Sequence, residues 1–152
     1  MEFLRQKRSE LARNDSSERL SDLGVHVIPG EAHFSGPREI TVEQRVFRFH
    51  KALIATGTRN RLLSVPGCDD PRVLTTDRIF DLSQLPERLA ILGGGPVGCE
   101  MAQAFARLGT RVSLTQSNSR LLPREPEQSS HLLRQSLIRE GIDVHLETRI
   151  ER

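Results

Sequence analysis

The stretch LAILGGGPVGCEMAQAFARLG, residues 89–109, joins a short apolar run to a cluster of glycines and then to a helical pattern. The apolar run at 89–92 predicts a buried strand, and the glycines after it predict a tight turn. Apolar residues then recur at the spacing of one helix face: Val97, Met101, Ala104, Phe105 and Leu108. Gly109 is placed to end that helix. The stretch therefore predicts a strand, a tight turn and a helix in direct succession.

The residues that follow repeat this alternation. RVSLT at 111–115 predicts a second strand, residues 126–141 predict a second helix, and IDVHL at 142–146 predicts a third strand. Strands that alternate with helices through short connections predict a parallel sheet with right-handed crossovers. We expect residues 87–152 to form this β-α-β-α-β unit. The proline-containing residues 59–86 predict a connector with one short helix.

A different pattern occupies residues 1–58. Residues 2–13 predict a charged helix, and a second helix follows with Asp15 as its N-cap and Glu18 at the capping-box spacing. Short alternating segments then predict an antiparallel β-meander: residues 25–28, 32–34, 39–42 and 46–50. The continuous apolar run ALIA at 52–55 predicts a strand buried on both faces.

Gly93, Gly95 and Gly98 form the pattern G-x-G-x-x-G between the predicted strand and the predicted helix. In that context the pattern indicates a dinucleotide site. The first glycine permits the turn, the second lets the backbone approach a pyrophosphate, and the third lets helix and strand pack closely. The helix start favours phosphate charge, and Pro96 is tolerated there because its missing N–H has no helical partner. The alternative is a tight turn that binds nothing.

Such sites distinguish NAD from NADP at the end of the second predicted strand. An acidic residue there would bind the ribose 2′-hydroxyl, and a nearby arginine would accept the 2′-phosphate of NADP. Gln116 occupies this position and can bond a hydroxyl without repelling a phosphate. Arg120 and Arg124 follow. Two roles are open for these arginines: contact with a 2′-phosphate, or exposure to water without a ligand. The sequence leaves the choice between the two cofactors open.

Residues 89–114 resemble the nicotinamide-binding segment of the pyridine nucleotide-disulfide oxidoreductases, a family of FAD-dependent flavoproteins. KALIATGTR at 51–59 resembles the A-T-G stretch that lies beside FAD in that family. Residues 14–36 and 120–127 are most similar to the mercuric reductase branch, with dihydrolipoamide dehydrogenase next nearest. The resemblance covers essentially the whole chain. It implies an α/β fold: a Rossmann-type βαβαβ half-domain with a parallel sheet, preceded by the helix and antiparallel β-meander of a flavin-binding domain.

The resemblance implies two groups of cofactor-binding residues. FAD would lie along the backbones of Ala32, Ala55, Thr56 and Gly57. We expect the nicotinamide dinucleotide, NAD(P)H, to contact Gly93, Gly94, Gly95, Pro96, Val97, Gly98 and Glu100, together with Gln116. By resemblance, Glu100 would sit near the nicotinamide and pair with a flavin-side lysine. Its alternative role is that of an exposed first-turn acid favoured by the helix dipole.

Several family features are absent from these 152 residues. They contain no second G-x-G-x-x-G for FAD, no C-x-x-x-x-C redox pair, and no dimerisation domain with a catalytic His–Glu pair. We therefore predict no catalytic residue and no metal site in this chain. We expect a central segment of a larger, homodimeric NAD(P)H oxidoreductase that is inactive without the remainder of the reductase chain. Residues 1–58 would end an FAD-binding subdomain, and residues 87–152 would begin the NAD(P)-binding domain.

Composition argues against several other classes. The net charge is only +2 and tyrosine and tryptophan are absent, so nucleic acid is not an expected partner. No apolar run reaches the roughly 18 residues of a membrane span, and we expect a cytoplasmic protein. Cys68 and Cys99 lack metal-binding or redox spacing, which favours a reducing compartment. The alternative function is a stand-alone dinucleotide-binding module without catalysis.

Overall fold

The computed structural model of the chain describes residues 2–14, 16–60 and 65–150. These residues form two compact units, one of residues 2–60 and one of the described residues from 65 onward. No helix in the described ranges is long and apolar enough to cross a bilayer.

The first unit contains two helices and a three-stranded antiparallel sheet. Its elements are α1 (Glu2–Asn14), α2 (Ser17–Asp22), β1 (Ala32–Gly36), β2 (Glu39–Val42) and β3 (Arg45–Arg48). The strands pair in the order β1-β2-β3, which confirms the predicted meander over these residues. At the start of α2, Ser16 is the N-cap, and its side chain accepts a hydrogen bond from the Arg19 amide. Asp15, the predicted N-cap, lies outside the described residues.

Two strand predictions in this unit are wrong. Residues 25–28 and 52–55 adopt no regular secondary structure. Leu53 is 91% exposed and Ile54 is 70% exposed, so the run is not buried on either face. A strand needs partners for its backbone N–H and C=O groups, and the described strands of this unit pair only among themselves. A continuous apolar run shows that a segment suits burial, but it does not supply the neighbouring strand.

The second unit is an alternating α/β arrangement. A short 3-10 turn at Ile79–Asp81 precedes β4 (Arg88–Leu92), α3 (Pro96–Arg107), β5 (Arg111–Thr115), α4 (Glu127–Arg139) and β6 (Asp143–His145). The three strands are parallel and lie in the order β4-β5-β6. Leu89 pairs with Val112, and Leu114 pairs with Val144. The predicted α/β class with a Rossmann-type parallel half-sheet is confirmed.

The core of the second unit lies between its helices and its sheet. Leu114 of β5, Ala102 of α3 and Leu137 of α4 are fully buried, and Phe105 is 2% exposed. Burial of each large apolar side chain contributes on the order of 2 kcal/mol. The packing fixes both helices against the parallel strands. It thereby fixes the carboxyl ends of β4 and β5 at one edge of the sheet, where ligands bind in open α/β folds.

Candidate functional site

The segment that joins β4 to α3 is residues 93–98, here called the glycine loop. Gly93 has φ of +108°, a conformation that residues with a Cβ rarely adopt. Its N–H donates to the carbonyl oxygen of Thr115 at 2.8 Å, at the end of β5. The chain therefore leaves the sheet immediately after its last strand hydrogen bond, and Gly93 makes the turn.

Gly98 is required by the packing of α3 against this turn. A Cβ on Gly98 would overlap the carbonyl oxygen of Gly93 and lie 3.1 Å from its carbonyl carbon. Both are backbone atoms, so no side-chain rotation relieves the overlap. The predicted role of Gly98 in close strand–helix packing follows directly from this geometry.

Gly94 lies beneath the segment that follows β5. A Cβ there would meet Leu121 Cδ2 at 2.5 Å and Gln116 Cβ at 3.1 Å. The Gly94 carbonyl accepts a hydrogen bond from the Leu122 N–H at 2.8 Å. The glycine loop and the start of the β5–α4 connection are therefore packed against each other, with no space for a larger residue at 94.

Gly95 differs from Gly94 and Gly98 because the fold leaves it space, and from Gly93 because its φ is negative. A Cβ on Gly95 would have no atom within 4 Å among the described residues. Its φ of −78° and ψ of 179° are open to any L-amino acid, and it is the N-cap residue of α3. Neither steric crowding nor backbone conformation explains a glycine at this position. A ligand that approaches the backbone closely would explain it.

The start of α3 offers backbone donors next to that space. Pro96 is the first helical residue, as predicted, and the first described hydrogen bond of the helix runs from the Cys99 N–H to the Gly95 carbonyl at 3.0 Å. None of the hydrogen bonds in the described part of the chain uses the N–H of Val97 or Gly98. Free amide groups at a helix N-terminus, aligned with the helix dipole, stabilise a phosphate.

The exposed side chains in the first turn of α3 are Pro96, Val97 and Glu100. Val97 is 49% exposed, and the Glu100 carboxylate has no hydrogen-bond partner in the described ranges. Both are therefore accessible to a ligand at the glycine loop. The flavin-side lysine that the resemblance pairs with Glu100 has no counterpart among the described contacts, so that pairing stays a prediction.

Cys99 has a packing role and is not a nucleophile. It is 5% exposed, and its thiol donates a weak hydrogen bond to the Gly94 carbonyl, with the sulfur 3.6 Å from the oxygen. Burial, with a smaller contribution from the negative charge of Glu100, raises the pKa of this thiol to about 11. The thiol is therefore protonated near neutral pH. No cluster of His, Cys, Asp and Glu with metal-binding geometry occurs in the described residues.

Gln116 directly follows β5 and lies against the glycine loop. Its N–H donates to the His145 carbonyl at 2.8 Å, and its own carbonyl accepts from the Thr148 N–H at 3.0 Å. The residue is only 8% exposed, and its side-chain stem faces Gly94. The structure thus places Gln116 beside the loop, at the sequence-predicted specificity position.

The predicted FAD-side residues do not form a site by themselves. Ala32 begins β1, whereas Ala55, Thr56 and Gly57 lie in a segment without regular structure, and all four residues are exposed. No described hydrogen bond joins Ala32 to the other three. The residues present do not enclose a flavin.

Sequence reasoning missed the contribution of the β5–α4 connection. Leu121 is fully buried against Gly94, and the Ser130 hydroxyl donates to the Leu121 carbonyl at 2.6 Å. These contacts hold the connection onto the glycine loop. The available signal was the pair Leu121-Leu122, two apolar residues inside an otherwise polar segment.

A sequence profile described as pyridine nucleotide-disulphide oxidoreductase matches residues 6–152. Dihydrolipoyl dehydrogenase of Bacillus subtilis is 33% identical over 132 residues, which cover 84% of this chain and 29% of that protein. Mercuric reductase of Streptomyces lividans is 46% identical over 98 residues, which cover 64% of this chain and 20% of that protein.

A solved structure matches nearly the whole chain. The HOCl-induced flavoprotein disulfide reductase RclA of Escherichia coli superimposes with a TM-score of 0.81 at 30% identity, over 98% of this chain and 35% of that one. The chain thus spans 20 to 35% of the length of these three proteins. The likeness covers both units, and it covers only part of each relative.

Proposed function

Because the chain belongs to the pyridine nucleotide-disulphide oxidoreductase family, we propose that its glycine loop binds the pyrophosphate of a nicotinamide dinucleotide. The observation that carries the proposal is the contrast between Gly95 and the other loop glycines. Gly93, Gly94 and Gly98 are explained by the fold itself. Neither crowding nor backbone conformation requires a glycine at position 95, and a ligand that approaches the backbone there would account for it.

The chemistry of the loop supports this ligand class. The N–H groups of Val97 and Gly98 and the positive end of the α3 dipole attract a phosphate and hold it without a side-chain cation. Gln116 and the exposed Val97 and Glu100 then border the rest of the site. These residues bind and orient the dinucleotide; when bound, it supplies a hydride for transfer.

We further propose that the chain acts as part of a larger FAD-dependent oxidoreductase, similar to mercuric reductase. In the complete enzyme, NAD(P)H held by the glycine loop would be the reductant, and the final acceptor would be a metal ion or a disulfide. The described residues enclose no flavin site, and the 152 residues contain no C-x-x-x-x-C pair. We therefore expect this chain to bind the dinucleotide without oxidoreductase activity until the remainder of the reductase is present.

Calorimetric titration of the wild-type chain and Gly95→Val with NADPH and NADH tests the proposal. The wild type binds at least one dinucleotide, and Gly95→Val weakens that binding by about tenfold or more, because the side chain fills the pyrophosphate position. Because a Cβ added at Gly95 meets no described atom within 4 Å, we expect the variant to fold with a melting temperature close to that of the wild type.

Gly36→Val is the matched control. Gly36 lies in β1, and its added Cβ makes only ordinary contacts with Glu39. This variant keeps wild-type affinity. A Gly95→Val protein that binds as tightly as the wild type, or a wild type that binds neither dinucleotide, contradicts the proposal.

A further inference from the structure

We propose, on the basis of the dinucleotide site proposed above, that Ser130 of α4 is a positioning residue for that site. It acts without contacting the ligand, through two peptide groups that end at the Gly95 N–H. The inference rests on a series of hydrogen bonds that joins the Ser130 hydroxyl to the glycine loop, and on the backbone conformation of Leu122.

The series begins at the Ser130 hydroxyl, which is buried inside the second unit. Ser130 is 3% exposed, and its Oγ donates to the Leu121 carbonyl oxygen at 2.6 Å. A serine hydroxyl within a helix commonly bonds a carbonyl one turn earlier in that helix, but this one contacts a residue nine positions earlier, in the β5–α4 connection. Leu121 is fully buried, so water does not replace the hydroxyl when it is removed.

Two peptide groups continue the series to the glycine loop. The Leu121 carbonyl and the Leu122 N–H belong to one planar peptide group, so holding one end orients the other. The Leu122 N–H donates to the Gly94 carbonyl at 2.8 Å, and that carbonyl shares a second peptide group with the Gly95 N–H. None of the hydrogen bonds among the described residues uses the Gly95 N–H. It is therefore available to a ligand in the open space beside Gly95.

The backbone of Leu122 explains why the first peptide group needs a donor to hold it. Leu122 has φ of +45°, in the left-handed region that residues with a Cβ disfavour. Rotation of the 121–122 peptide group would relieve this conformation and would withdraw the Leu122 N–H from Gly94. The hydrogen bond from Ser130 opposes that rotation and so keeps the glycine loop in one orientation.

The series affects both the direction and the strength of the Gly95 N–H as a donor. Hydrogen bonds in series polarise one another, so donation by Ser130 makes the last N–H a better donor to a phosphate oxygen. The Cys99 thiol also donates weakly to the Gly94 carbonyl, with the sulfur 3.6 Å from the oxygen. We therefore expect removal of the Ser130 hydroxyl to weaken dinucleotide binding without abolishing it.

Calorimetry with NADPH and NADH, together with amide proton–nitrogen NMR of the full chain, tests the inference on the wild type and Ser130→Ala. Ser130→Ala weakens dinucleotide binding about threefold to tenfold, because the 121–122 peptide group loses its donor. It also moves the Gly95 amide signal before any ligand is added. A purely structural role for Ser130 would lower the melting temperature and leave the Gly95 signal in place.

Ser129→Ala is the matched control, since it removes the same hydroxyl from the neighbouring, exposed position of α4. It keeps the wild-type affinity and the wild-type Gly95 signal. A folded Ser130→Ala that binds as tightly as the wild type, or whose Gly95 signal is unmoved, overturns the inference and leaves the dinucleotide site intact.

A second measurement uses the wild type alone. On addition of NADPH, the Leu122 amide signal shifts together with that of Gly95, because the Gly94 carbonyl links the two N–H groups. If Ser130→Ala does not fold, this measurement decides, and a Gly95 signal that shifts while Leu122 stays unchanged overturns the inference. A wild type that binds neither dinucleotide contradicts the proposed function instead, and the Gly95 signal of ligand-free Ser130→Ala then still tests the series.

Discussion

Two segments of this chain carry the same local pattern, an apolar run followed by glycine, and they fold differently. Residues 51–57, KALIATG, are exposed and form no strand. Residues 89–98, LAILGGGPVG, form β4 and the glycine loop and are packed by α3 and Leu121. The difference shows that an apolar run becomes a strand only where the same folding unit supplies its partners.

The energetic basis of this difference is the distribution of buried side chains. Among the described residues, Val42 is the only buried apolar residue of the first unit, whereas the second unit has a continuous core around Leu114, Leu121 and Leu137. In the second unit, β5 buries Val112 and Leu114, whereas β4, predicted as a buried strand, is only partly covered and leaves Leu92 42% exposed. The meander of the first unit, by contrast, leaves Phe34 and Val46 more than half exposed.

The largest expected effect is a difference in stability loss between two glycine-to-alanine variants, one in each segment. Gly98→Ala destabilises the second unit by about 3 kcal/mol, because the new Cβ overlaps the Gly93 carbonyl and α3 must move. Gly57→Ala costs about 1 to 2 kcal/mol, because its φ of +69° disfavours a Cβ although the space around it is open. Urea denaturation followed by circular dichroism measures both losses. Equal losses of unfolding free energy in the two variants would contradict the difference in packing between the two segments.

A smaller effect concerns the pH dependence of the stability of the second unit. Arg107 of α3 donates to both carboxylate oxygens of Glu140 at 2.7 and 2.9 Å, and Gln103 donates to one of them at 2.7 Å. Hydrogen bonding to Arg107, assisted by Gln103, lowers the pKa of Glu140 below its usual 4.5. A carboxyl group whose pKa is lower when folded stabilises the fold above its unfolded pKa and loses that stabilisation as pH falls through the folded value.

We therefore expect Glu140→Gln to be less stable than the wild type near neutral pH, with the difference shrinking below about pH 4. Thermal melting of both proteins as a function of pH measures this. Glu125→Gln removes an exposed carboxylate without a described side-chain partner and serves as the control. A stability difference between Glu140→Gln and the wild type that stays constant down to acidic pH would contradict the sign of the pKa shift.

The parts of the fold that could be predicted from sequence are those whose signals are local. The strands β4 and β5, the helix α3 and the turn at Gly93 each follow from apolar spacing and glycine placement within a few residues. The segment at 52–55 could not be predicted correctly, because its fate depends on a strand partner that its own sequence does not encode.

The same limit applies to the site. The position of Gln116 after β5 follows from strand counting, and the glycine pattern identifies the loop. The surroundings of Gln116 do not follow, because its backbone is held by His145 and Thr148, which only the folded chain brings to it, and its side-chain Oε1 accepts from the Ser117 N–H. The motif predicts different roles for Gly95 and Gly98 from their order alone, and the folded chain adds that a Cβ overlaps backbone at Gly98 but meets no described atom at Gly95.

The most direct test of the central claim, that the glycine loop is a dinucleotide site, is an amide proton–nitrogen NMR titration of the wild-type chain with NADPH. The account predicts that the largest shifts occur at Gly95, Val97, Gly98 and the Gln116 side-chain amide, while the amides of residues 51–57 stay unchanged. The same titration of Gly95→Val should leave the loop amides unshifted. Shifts that centre on residues 51–57, or loop amides that do not respond to saturating NADPH in the wild type, would contradict the account.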